Sequence, residues 1–140
     1  MIAFGHHMEQ PASATASSAG GATAERVNHG TFDVVHLLDK SSPKLAEACC
    51  TGRHLKEVVL ELCRAGGDKL TYAEIRLEQV VIARVESAGT PSSTSGFPTE
   101  KISFNYGRIK WKYVVQKRAD GQGGGSVVGG WDLTTNKVIA

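Results

Sequence analysis

The sequence predicts a mainly β protein: two packed antiparallel sheets forming a β-barrel or sandwich, with one short flanking α-helix. Three observations predict it. Apolar and polar residues alternate along several runs, as where Val58, Leu60 and Leu62 oppose Glu57, Val59, Glu61 and Cys63. Short Gly-rich turns separate those runs. Only one stretch carries helix start and stop signals.

The 140 residues fit a single domain, 1–140. At that length folding hides roughly two-thirds of the unfolded chain's surface, so a core needs no disulfide or metal. The first segment of low complexity, "PASATASSAGGATA" from Pro11 to Ala24, has no large apolar side chain for a core and reads as an extended loop or arm. "TFDVVHLL", Thr31 to Leu38, is β-branched and apolar and predicts a strand. A helix follows, with Ser42 as N-cap, Pro43 in the first turn and Gly52 as its stop. Leu45, Ala48 and Cys49 share one stripe of that helix, which should face the sheets, and Cys50 points elsewhere.

Leu55 to Arg64 returns to strand, and "AGGD" makes a tight connection. Leu70 to Ser87 is a long strand with Ala73, Ile75, Leu77, Val81, Ala83 and Val85 on one parity; the other parity turns apolar at Val80 and Ile82. "SAGTPSSTSGFP" is a loop by composition. Ile102, Phe104 and Tyr106 alternate with polar residues, but past Gly107 the apolar parity shifts to Ile109, Trp111, Tyr113 and Val115. A period of two allows this only with an extra residue, so a bulge or sharp bend is expected at Gly107. "ADGQGGGS" is a hairpin-type connection, and "VVGGWDL" a last strand.

Chemistry finds little purchase. With 16 Lys and Arg against 14 Asp and Glu, the net charge of +2 gives no electrostatic case for nucleic acid or membrane lipid. No apolar run approaches the roughly 18 residues of a membrane helix, and "MIAFGHHMEQ" is no cleaved signal peptide. The three cysteines, Cys49, Cys50 and Cys63, do not have zinc-site spacing, and nothing orients His54 as a base for a thiol nucleophile. They read as small packing residues in a reduced protein. His6 and His7 are adjacent and point opposite ways on a strand, and His29, His36 and His54 make no metal spacing. "GGATAER" and "GQGGGS" lack the ending and helix of a phosphate loop. The strand carboxylates Glu57, Glu61, Glu74 and Glu78 suit a solvated or intersubunit face. No cofactor, metal or catalytic residue is expected. The long small-residue arm and the strand edges favour assembly over chemistry.

The stretches "LLDKSSPKLAEACCTGRHLKEVVLELCRAGG", "KISFNYGRIKWKYVVQKRADG" and "GGWDLTTNK", with "QPASATASSAGG" and "AERV", resemble the hemolysin-coregulated protein (Hcp) family, tube subunits of the bacterial type VI secretion system. The likeness runs from about Ile2 to Val138. It implies homohexameric rings with a wide channel, stacked into a tube inside a contractile sheath. Implied partners are copies of itself, the spike, sheath and baseplate proteins, and small effectors carried in the channel. It implies no enzymatic activity, and export from the bacterial cytoplasm through the type VI machine without a cleaved signal peptide. By position, the 11–27 loop would pack on a neighbouring subunit. Expected interface residues are then Pro11, Ser13, Thr15, Ser17, Ser18, Thr23, Glu25 and Arg26, with Arg108 and Lys110 from the strands. Relative to the family, this chain starts late, without the usual first strand. The competing expectations are a small β-barrel holding a ligand in its interior, and a thiol enzyme using Cys49 or Cys50.

Overall fold

The computed structural model describes residues 1–11, 26–66, 69–89, 96–115 and 124–139. Among these described residues, ten strands and one helix follow in the order β1 (Ala3–Gly5), β2 (Met8–Glu9), β3 (Asn28–His29), β4 (Phe32–Leu37), α1 (Ser42–Thr51), β5 (His54–Cys63), β6 (Thr71–Ala88), β7 (Thr99–Asn105), β8 (Arg108–Val115), β9 (Gly125–Asp132) and β10 (Lys137–Val138). The pairs β1–β4, β2–β3, β4–β7, β5–β6, β6–β8, β8–β9 and β9–β10 are all antiparallel. The mainly β class with one helix is the class the alternation predicts. The chain divides into two compact units, Met1–Arg53 with Ile82–Asn105, and His54–Val81 with Tyr106–Ala140.

In the first unit, β4 lies between β1 and β7. Phe32 faces Phe104, Val34 faces Ile102 and His36 faces Glu100. The first two pairs are apolar. Phe32, Ile102 and Phe104 are buried, and Phe4 of β1 stacks on Phe32 with ring centroids 6.0 Å apart. The third pair continues the same row with polar side chains. Glu100 is only 2% exposed, and its Oε2 lies 2.9 Å from His36 Nε2. On the opposite face Lys101 reaches Asp33 at 3.6 Å.

Helix α1 starts one residue earlier than the sequence suggests. Its N-cap is Ser41, whose carbonyl accepts the N–H groups of Lys44 and Leu45, each at 3.0 Å. Ser42 is pulled into the first turn and buried, where its Oγ accepts the N–H of Asp39 at 3.1 Å. The Asp39 carboxylate in turn accepts the N–H of Ser41 at 2.7 Å. Asp39 thus organises the turn that the sequence reading assigned to Ser42. The stop is as expected. Gly52 is left-handed at φ 65°, and Arg53 N–H closes onto the Ala48 carbonyl at 3.1 Å. Leu45, Ala48 and Cys49 are the half-buried stripe, and Cys50 is exposed.

In the second unit, β5 and β8 flank the first part of β6, and β9 and β10 continue beyond β8. The bend foreseen at Gly107 is present and has a partner in β6. Gln79 stands at φ 54°, a left-handed conformation inside a strand. The Gly107 N–H donates to the carbonyls of both Glu78, at 3.0 Å, and Gln79, at 3.2 Å. A Cβ on Gly107 would meet the Gln79 side chain, which would have to shift to admit it. The left-handed residue switches the pleat. Leu77 is buried, and the next buried residue is Val80, three positions on rather than two. Val80 and Ile82, where the second parity turns apolar, are the buried residues beyond the switch, and Ala83 of the first parity is exposed. β1, β2, β3 and β10 are too short for alternation to reveal.

Candidate assembly surface

The register of the second unit sorts its side chains into two faces. One face stacks cross-strand rows of apolar residues. Val58, Leu77, Ile109 and Trp131 form the first row; Leu60, Ile75, Trp111 and Gly129 the second; Leu62, Ala73, Tyr113 and Val127 the third. Exposure climbs from row to row. Leu77 and Ile109 are 1% and 0% exposed, whereas Tyr113 and Val127 are 52% and 66% exposed. Val115, Val128 and Leu70, near the same end of the strands, are exposed as well. An open groove of about 400 Å³ runs between Ile75, Trp111, Tyr113 and Val127. Alternation had placed Tyr113 and Val115 on the apolar parity, and they are on it. What it could not show is that the strands outrun the side chains that would cover them.

The other face is a lattice of ions. Its rows are Glu57, Glu78, Arg108 and Asp132; Val59, Arg76, Lys110 and Gly130; and Glu61, Glu74, Lys112 and Val128. Arg76 reaches Glu57 at 2.8 Å and Glu74 at 3.0 Å. Lys110 Nζ donates to Glu78 Oε1 at 2.8 Å, and that hydrogen bond holds the Glu78 carboxyl below its ordinary value. Arg108 Nε donates to Asp132 Oδ2 at 2.9 Å.

Asp132 is the most heavily bonded carboxylate of this face. Thr134 donates to Oδ1 through its hydroxyl and its N–H, and the Thr135 N–H adds a third bond at 3.2 Å. These donors, the Thr134 hydroxyl first among them, hold its carboxyl far below the usual carboxylate range. They also build the β9–β10 turn, which closes through Asn136 at φ 55°.

Arg108 and Lys110, expected at an interface, are therefore anchored within their own chain and partly exposed. Pro11 and Arg26 flank the two-residue ladder of β2 and β3 in the first unit. Ser13, Thr15, Ser17, Ser18, Thr23 and Glu25 lie outside the described residues. Among the described residues, no three His, Cys, Asp or Glu side chains group to hold a metal ion. Cys49 is half-buried, Cys50 exposed, and Cys63 Sγ lies 3.5 Å from Thr71 Oγ1. Among the described residues, no helix is long and apolar enough to cross a membrane.

Known proteins give this arrangement a context. The family model described as type VI secretion system effector, Hcp, matches residues 1–113. Protein hcp1 of Pseudomonas aeruginosa is 30% identical over 112 residues, which is 79% of this chain and 68% of that protein. Among solved structures, a type six secretion system protein superposes with a TM-score of 0.87 at 27% identity, over 99% of this chain and 84% of the other. A type VI secretion system effector from Yersinia pestis gives a TM-score of 0.71 at 26% identity, over 94% and 81% of the two chains. Hcp1 from Salmonella typhimurium shares the fold, with a TM-score of 0.78 at 24% identity over 99% and 82%. With a family match across residues 1–113 and the same fold over nearly all of its length, this chain belongs to the Hcp family of the type VI secretion system.

Proposed function

We propose that this chain is a structural tube subunit of the type VI secretion system. Copies of it join head to tail into homohexameric rings, and the rings stack into the exported inner tube. Ring closure of that kind brings two different surfaces of one subunit together. The observation that carries the reading, beside family membership, is the apolar sheet face that opens row by row to Tyr113 and Val127. An apolar face of this extent, backed by a tied lattice of ions, suits a permanent contact with another protein surface.

In this reading Pro11 and Arg26, the neighbouring 12–25 segment, and Arg108 with Lys110 contribute to subunit contacts. The partners are further copies of the chain, spike, sheath and baseplate proteins, and small effectors carried in the channel. The chain has no catalytic role of its own, and it leaves the bacterial cytoplasm through the type VI machine.

The test is a charge placed on the open row. Val127→Asp should leave the circular dichroism and thermal transition of the chain close to wild type, because the side chain is solvent-exposed in the isolated subunit. It should shift the mass seen by light scattering from rings toward single chains. A variant that assembles like wild type would remove this face from the contact.

A further inference from the structure

Segment 12–25 leaves from and returns to a very small stem. β2 and β3 pair only Met8 with His29 and Glu9 with Asn28. One more backbone bond, from Gly30 N–H to the His7 carbonyl at 3.0 Å, extends it. Histidines crowd this stem. The His6 and His29 rings lie with centroids 6.1 Å apart, and His6 also tilts over Phe32 at 5.4 Å. The His7 ring occupies the space that a Cβ on Gly30 would need.

We propose that His6 and His29 make this stem acid-labile: protonating both sets like charges side by side at the foot of segment 12–25 and unpairs β2 from β3. The surroundings favour the neutral rings. Burial lowers His6 below its ordinary value, and His29 and His7 lower it further; burial lowers His29 too. The opposing group is Asp33 on β4, which favours charge on His6. Asp33 is already shared, accepting the Thr31 hydroxyl at 3.0 Å and facing Lys101 at 3.6 Å. A histidine whose folded value is lowered binds fewer protons than the unfolded segment as the pH falls below 6.5, so acid removes stability from the stem. A two-stranded ladder of two residue pairs is marginal by its own backbone bonds. As a control of assembly, the proposal rests on the reading that the segment beside Pro11 and Arg26 joins subunit contacts.

The experiment follows amide exchange and histidine ring resonances by NMR on the full chain, dilute enough to be single subunits. Between about pH 7.5 and pH 5, after correction for intrinsic exchange, protection of the Gly30 amide should fall by about tenfold or more while Ile102 in β7 keeps its protection. The His6→Gln/His29→Gln double variant should lose this pH dependence, and His29→Gln alone should weaken it, since only the lesser repulsion from His7 then acts on His6. Three results overturn the proposal: unchanged Gly30 protection, parallel loss at Gly30 and Ile102, or the same acid loss in the double variant. Failure to form rings at neutral pH would sink the assembly reading and leave the exchange result untouched.

Discussion

The side chain of Gln79 lies across Gly107, at the point where β6 and the β7–β8 segment both exchange their inner and outer faces. Along β6 the buried positions step from Leu77 to Val80; along the segment through Gly107 they step from Tyr106 to Ile109. Two strands that slip together keep their apolar side chains opposed, whereas a slip in one alone would bury polar residues. The left-handed Gln79 and the missing side chain of Gly107 are two halves of one device.

Gly107→Ala should cost about 1–3 kcal/mol in urea denaturation, because the new methyl meets the Gln79 side chain. Gln79→Gly relieves the left-handed backbone, a strain on the order of 1 kcal/mol, and removes the obstructing side chain. The double variant should therefore lose less than the two single changes added together, with a coupling of about 0.5 kcal/mol or more. Strict additivity would show that the contact does not carry the bend.

His36 and Glu100 place a close polar pair, 2.9 Å from Nε2 to Oε2, in an otherwise apolar row. Glu100→Leu strands the half-buried imidazole and should destabilise by about 3 kcal/mol. His36→Leu with Glu100→Leu extends the row of Phe32, Phe104, Val34 and Ile102, and should return most of that loss. Chemical denaturation of the three proteins checks both statements. A double variant as unstable as the single one would mean that the pair does more than satisfy itself.

Asp132 gives acid sensitivity with a defined sign. Its folded carboxyl lies well below 3.8, so the stabilisation it provides is complete above that value and drains away as the pH falls beneath it. Asp132→Asn should lower the urea midpoint at neutral pH and flatten its decline below about pH 4. An equal decline in wild type and variant would place the acid response elsewhere.

Replacing Cys49 and Cys50 together by Ala should cost about 1 kcal/mol and leave assembly intact. Cys49 contributes packing on the half-buried stripe of α1, and Cys50 is exposed. Light scattering and thermal melting read the two effects separately. Loss of assembly in the double variant would assign these thiols a role in the contact.

Much of this architecture was legible because period-two alternation survives burial. It marked β5, the long β6, β7 and β8, and the parity break after Tyr106 located the bend at Gly107. The matching break at Gln79 was hidden. Val80, Val81 and Ile82 are all apolar, so either parity could be read through them, and a glutamine in a strand gives no sign of positive φ. The N-cap of α1 fell one residue off because Ser41 and Ser42 both qualify, and only Asp39 decides between them. At the candidate surface, sequence named Arg108 and Lys110 but not their tethers to Asp132 and Glu78, which depend on cross-strand register. Tyr113 and Val127 were readable as apolar, but their exposure depends on which strands end before them.

Light scattering of the purified chain at neutral pH tests the central claim most directly. The account predicts a ring-sized particle of about six 14.9 kDa chains, with Val127→Asp shifting it toward single chains. A wild-type protein that remains at 14.9 kDa as the concentration is raised, folded and monodisperse, would contradict it.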